Sequence, residues 1–150
     1  WFSLVDRSEQ SMLLGVRSAF PILEDFVKTK LQELNLKNEN FALIGFSQGS
    51  MTALYSGLRM RQAPKALLCY SGMLLAPQML DKEIVSRPDV MLIHGVEDQV
   101  VPYFCMEEAK KALEVSEVQV LCHSCPKLAH GIDLEGIKLG GEFLKKAFSK

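Results

Sequence analysis

Four short runs constrain the fold of this chain: FALIGF from 41, KALLCYSG from 65, VMLIHG from 90 and VQVLCHSC from 118. Each is apolar nearly throughout, where a strand with one wet face would alternate, so each reads as a strand covered on both faces and paired in parallel. Amphipathic segments at 49–61, 103–115 and 132–148 lie between and after them, with apolar residues at helical spacing. Ahead of the first run, Val16, Phe20, Leu23, Val27, Leu31 and Leu34 recur every three or four residues, which predicts a helix over 8–36. Pro21 removes a backbone donor and clashes one turn back, so a kink or two abutting helices is expected there. Strand and helix in alternation specify an α/β fold: a mostly parallel sheet, wound by right-handed crossovers, with helices on both faces. Ligands of such sheets bind at the carboxyl ends of the strands.

At 150 residues the chain fits one domain with one core, and no internal repeat or linker divides it. It carries 17 basic and 18 acidic side chains with no long run of either sign. That balance leaves no electrostatic footprint for nucleic acid or an anionic membrane, and points to small, roughly neutral partners. No stretch approaches the roughly 18 apolar residues of a spanning helix, so no stable membrane insertion is expected. The chain opens on Trp1 rather than methionine, which admits a fragment with a targeting segment upstream. Four cysteines, at 69, 105, 122 and 125, are sparse, which suits a reducing, cytoplasmic setting. Cys122 and Cys125 form a CxxC, but no second pair completes a zinc site and Pro126 stands where a helix would have to begin. A redox or metal role is therefore the weaker reading.

The stretch GFSQGS, residues 45–50, places glycine on both sides of Ser47 where the first strand gives way to a helix. A bare GxSxG arises by chance in roughly one in twenty chains of this length, but its position between strand and helix is far less common. A sharp turn there holds the serine in a strained, exposed conformation, and the flanking glycines let strand and helix pass without side-chain clash. A serine cap on the next helix would explain Gly49 and leave Gly45 unexplained.

A serine hydroxyl is a poor nucleophile at neutral pH without a base, and an imidazole base works best when a carboxylate fixes its tautomer. On this fold the order is serine, acid, histidine, with the last two on loops after later strands. His130 sits on such a loop, beyond the last strand and before a helix. His94, at a strand end before Gly95, suits a structural role holding the acid loop, and His123 lies within a strand run as a satisfied core or surface imidazole. For the acid, the loop after VMLIHG offers Glu97 and Asp98; the shorter Asp98 sits deeper, with Pro102 fixing the exit, and Glu97 faces solvent. Asp89 and Asp133 fall at the wrong positions. Such chemistry requires neither a metal nor an organic cofactor. The backbone NH of Gln48, next to the serine, supplies one donor of an oxyanion hole.

The motifs GFSQGS, HGVEDQVVP and LAHGID, in this order and spacing, together with the opening WF, resemble the phospholipase/carboxylesterase family of α/β-hydrolases, which includes acyl-protein thioesterases. The resemblance spans nearly the whole chain. It implies Ser47 as nucleophile, Asp98 as acid and His130 as base, in agreement with the reading from the residues. It further implies small-molecule esters or acyl thioesters as substrates, acylated proteins among them, with Met73, Leu74 and Leu75 lining the acyl site. Members of that family begin with further strands, and a glycine motif after one of them donates a second oxyanion NH. The expectation is thus a single, N-terminally incomplete α/β-hydrolase domain over 1–150. Two consequences follow from that expectation. FALIGF becomes an exposed sheet edge that invites pairing with a second copy. A missing donor, worth about 10²–10³ in rate, leaves open a catalytically weak or dead remnant that acts as an assembly or binding module.

Overall fold

A computed structural model of the chain describes residues 2–37 and 40–149; Trp1 of the opening WF lies outside them. Four strands, β1 (Ala42–Phe46), β2 (Ala66–Tyr70), β3 (Asp89–Gly95) and β4 (Val120–Cys125), form one sheet in the order β1-β2-β3-β4. All three pairings are parallel, with Ala42 opposite Ala66, Ala66 opposite Asp89 and Val90 opposite Val120. The helices are α1 (Glu9–Glu33), α2 (Gln48–Gly57), α3 (Leu80–Glu83), α4 (Phe104–Val115) and α5 (Leu134–Phe148).

The period-two alternation of side chains divides the core into two layers. Leu67, Cys69, Val90 and Leu92 face one way and pack with Ala53, Leu54 and Leu58 of α2 and Met106, Ala109 and Leu113 of α4. Ala66, Leu68, Tyr70, Met91 and Ile93 face the other way, onto Phe143 and Ala147 of α5. Leu54, Leu58, Leu67 and Leu113 are at most 1% exposed, and each such leucine contributes about 2–3 kcal/mol by burial. α1 lies outside α2 and buries Val16, Ala19, Val27 and Leu31. Short α3 is tied to α2 by the buried Arg59 guanidinium, which donates to Glu83 at 2.8 Å and lies over the Tyr55 ring.

Three features differ from the sequence reading. α1 runs through Pro21 as one helix rather than two; Pro21 is solvent-exposed, so water can satisfy the carbonyl one turn back, while buried residues on either side hold the helix together. β1 and β4 are not covered on both faces: Ile44, Phe46 and Leu121 stay exposed because these strands form the two sheet edges, whereas β2 is wholly buried. The turn Pro77–Met79 and α3 fill a stretch for which no periodic pattern exists; Pro77 at the first helical position is its only local sign.

Candidate active site

β1 ends at Phe46 and α2 begins at Gln48, so Ser47 alone turns the chain, with φ 54° and ψ −118°. That region costs a residue with a side chain about 1–3 kcal/mol and persists only where its surroundings enforce it. Here the Ser47 NH donates to the Tyr70 carbonyl of β2 at 2.9 Å, and the Ser47 carbonyl accepts from Met51 at 3.1 Å. A Cβ on Gly45 would lie 2.3 Å from the backbone carbonyl of Gly49, so strand and helix touch backbone to backbone. Gly45→Ala is therefore expected to cost about 3 kcal/mol, read as a lowered midpoint of urea unfolding. Although Ser47 occupies the N-cap position, its side chain caps nothing. Its Oγ lies 3.0 Å from His130 Nε2 instead.

The loop between β3 and α4 winds around Asp98, whose carboxylate is fully buried. Oδ1 accepts from the Val100 and Val101 amides, both at 2.9 Å, and Oδ2 lies 2.8 Å from His130 Nδ1. Burial opposes ionisation, but hydrogen bonds from His130, Val101 and Val100 outweigh it and hold the carboxyl below its ordinary range. An ionised carboxylate only accepts, so Nδ1 carries the imidazole hydrogen and Nε2 presents its lone pair to Ser47 Oγ. Glu97, the competing acid, is exposed.

The loop after β4 carries His130 and is pinned from two directions. Glu97 NH donates to the Leu128 carbonyl at 3.0 Å, and Ser71 Oγ donates to the Gly131 carbonyl at 3.2 Å. The His130 ring lies beside Phe46, with centroids 4.8 Å apart. Neither Phe46 nor Ser71 was singled out by the motifs. Phe46 had a detectable signal, an aromatic residue directly before the turn; Ser71 had none.

Gln48 is the first residue of α2, so its NH has no acceptor within the helix. Its side-chain amide donates to the Phe2 carbonyl at 2.6 Å, which ties the amino-terminal segment to the turn. Of the three apolar residues after β2, Leu74 and Leu75 are 5% and 3% exposed and pack into core clusters, so neither offers a surface to an acyl chain. Met73 alone is partly open. Asp133 caps α5 by accepting from Gly136 NH, and Asp89 begins β3.

His94 does hold the acid loop: its Nε2 donates to the Val101 carbonyl at 2.8 Å. His123 is not satisfied as expected. Its Nε2 is buried without a hydrogen-bond partner among the described residues, and Glu135, largely exposed at the start of α5, stands 3.9 Å away. Burial pushes the Cys122 thiol up, and the Cys125 thiol up to about 11, where its Sγ faces Asp133 Oδ1 at 3.8 Å. Both are thiols, not thiolates, at neutral pH. Among the described residues no three His, Cys, Asp or Glu groups cluster as metal ligands.

A serine on a strained strand-to-helix turn, met by an imidazole and a carboxylate from later loops of a parallel sheet, defines a partial α/β-hydrolase fold. The chain belongs to the phospholipase/carboxylesterase family, whose model matches residues 1–148. It is 34% identical to esterase PE8, with a TM-score of 0.91 over 97% of this chain and 68% of that one. Acyl-protein thioesterase 1 of Aspergillus fumigatus is 28% identical over 131 residues, covering 81% of this chain and 54% of the relative. The chain thus spans about half the length of that curated relative. Acyl-protein thioesterase 2 of Zea mays, 23% identical, shares the fold, with a TM-score of 0.80 over 98% of this chain and 71% of its own.

Proposed function

We propose that this chain, as one α/β domain, hydrolyses carboxylic esters or acyl thioesters through an acyl-enzyme on Ser47. The observation that carries the reading is the unbroken relay from Ser47 Oγ to His130 Nε2 at 3.0 Å and from His130 Nδ1 to Asp98 at 2.8 Å. As Oγ bonds to the acyl carbon, its proton passes to Nε2, and Asp98 stabilises the imidazolium. The Gln48 NH donates to the developing oxyanion. When the carbonyl re-forms, the alkoxide or thiolate leaves with the proton from Nε2. Water then attacks the acyl-enzyme, gives its proton to Nε2, and Ser47 leaves the acid product with that proton restored.

Small-molecule esters and acyl thioesters suit this chemistry, acylated proteins included, with Met73, half-buried where Leu74 and Leu75 are buried, as the one of these three open to an acyl chain. Among the described residues no helix is long and apolar enough to cross a membrane, and a cytoplasmic site of action fits the four unpaired cysteines. A fluorophosphonate probe tests the reading: it is expected to label the chain at Ser47 and to leave Ser47→Ala unlabelled. A folded sample that resists the probe refutes it.

One observation favours a second reading, a weakly active chain that serves as an assembly module. The outer edge of β1 pairs with no other described strand, and the strand contains neither charge nor proline. On one side of this edge, Ala19, Ile22, Leu23 and Phe26 of α1 border a groove of about 520 Å³ with Leu43 and Ile44. On the other lies α5. Its Glu135 and Lys146 stand on the β4 side, so its opposite flank, Ile137, Leu144 and Phe148, looks toward β1. Ile22, Phe26, Ile44, Phe46, Ile137 and Phe148 together expose on the order of 600 Å² of apolar surface, near the 800 Å² or so that each partner gives to a standard interface. The occupant we propose is a second copy, β1 antiparallel to β1 about a two-fold axis. Sedimentation at micromolar concentration is expected to show a dimer that Ile44→Lys dissociates; a strictly monomeric profile overturns it.

A further inference from the structure

The acid of the site is faced by two imidazoles, not one. His94, 2% exposed near the end of β3, directs Nε2 to the Val101 carbonyl at 2.8 Å and to Asp98 Oδ2 at 3.3 Å. A carbonyl only accepts, so Nε2 bears a hydrogen; its hydrogen bond goes to the Val101 carbonyl, and the same electropositive N–H edge faces Asp98 Oδ2. Oδ2 is the same oxygen that receives His130 Nδ1, while Oδ1 is occupied by the Val100 and Val101 amides. The His94 ring is held against rotation. Tyr103 meets it edge-on, with centroids 6.1 Å apart at 89°, and the Tyr103 hydroxyl is anchored at 2.6 Å to Ser124, the residue that pairs with His94 in the sheet.

The surroundings of the carboxylate make this contact matter. From β3 it is faced by His94, from the loop after β4 by His130, from its own loop by two amides, and from the first turn of α4 by the Cys105 thiol, which is pushed up by burial and by the nearby carboxylates. Tyr103 reaches it only through His94, and Ser47 only through His130. From outside its own loop, His130 is thus the hydrogen-bond donor to Asp98 and His94 the second imidazole that faces it.

We propose that His94 is a positioning residue for the hydrolytic site: its Nε2–H clamps the acid loop and draws charge from Asp98 Oδ2, which moderates the basicity that Asp98 confers on His130. The proposal rests on the triad reading for its catalytic consequence, though not for its electrostatic one. The electropositive N–H edge beside Oδ2 weakens the negative potential that holds the His130 imidazolium. Without it Asp98 attracts that cation more strongly, and His130 keeps its proton to higher pH.

The experiment is an NMR titration of the His130 ring in the full chain and in two variants. In His94→Leu the midpoint is expected to rise by about half a pH unit, because an N–H dipole beside Oδ2 is removed. In His94→Gln, whose amide places a donor close to the Nε2 position, it is expected to return toward the parent value. The acid limb of kcat/KM on a p-nitrophenyl ester is expected to move in the same direction, with KM little changed. Should the leucine variant fail to fold, His94→Asn replaces it with the same expectation, because its shorter amide fills the pocket but falls short of Oδ2. An unchanged His130 midpoint in the folded leucine or asparagine variant overturns the proposal, and so does a glutamine variant that behaves like leucine. The titration needs no turnover, so a shifted midpoint with no fluorophosphonate labelling sinks the hydrolase reading alone.

Discussion

Ser47→Ala is expected to lower kcat on a p-nitrophenyl ester by about 10⁴–10⁶ while leaving the unfolding midpoint nearly unchanged. The two halves of that expectation have separate causes. The Oγ caps no helix NH, and its partner in the structure is His130, so deleting it removes the proposed nucleophile but no cap. The strained backbone at φ 54° is enforced by the Tyr70 carbonyl and by the contact of Gly45 with Gly49, and alanine bears that strain as serine does. A variant that keeps its rate to within tenfold would show that hydrolysis, if observed, occurs elsewhere.

Asp98→Asn is expected to cost about 10⁴ in kcat, because an amide that presents its NH₂ to Nδ1 favours the wrong tautomer and turns the imidazole hydrogen toward Ser47. It also removes a pH-dependent contribution to stability. Asp98 titrates lower in the folded chain than the ordinary value of about 3.9. Its stabilisation is therefore fully present above that value and is lost as pH falls through it toward the folded value. Urea unfolding of parent and variant is expected to show a constant difference from pH 8 to about pH 5, shrinking below about pH 4. A difference that grows on acidification would mean that the buried carboxyl is destabilising when ionised.

How much of this was legible in the residues depended on range. The four strands lie within two residues of the apolar runs, since an uninterrupted apolar stretch bounded by Gly, Pro or charge has few other fates in an α/β chain. Ser47, Asp98 and His130 could be named because each sits next to a local sign: the paired glycines, the exit proline, the loop beyond the last strand. Leu74 and Leu75 show the converse. Apolar character marks a core residue and a ligand-facing one alike, and only three-dimensional burial separates them. Pro21 illustrates a second limit, because its cost depends on whether water reaches the carbonyl one turn back. His94 could be read as holding the acid loop from its place at a strand end before Gly95, but its 3.3 Å approach to Asp98 itself could not, because a spacing of four across a strand end and a loop does not convert into a distance. The half-open face of β4 was hidden for a related reason: composition reports hydrophobicity, not a strand's rank within the sheet, and for β1 an edge position was anticipated from the family resemblance alone.

Strand rank has a mechanical corollary. Ser47 follows β1 and His130 follows β4, the outermost strands, while Asp98 follows an inner one. At about 4.8 Å per strand, the two ends start roughly 14 Å apart, and the segment carrying the imidazole must lean back across the tops of β3 and β2 to close a 3.0 Å gap. Its anchorages on the way, to Glu97 and to Ser71, belong to those two intervening strands' loops. The sheet therefore works as a caliper. Any substitution beneath β2 or β3 that widens or flattens it by a few tenths of an ångström is passed to the distance between Ser47 Oγ and His130 Nε2.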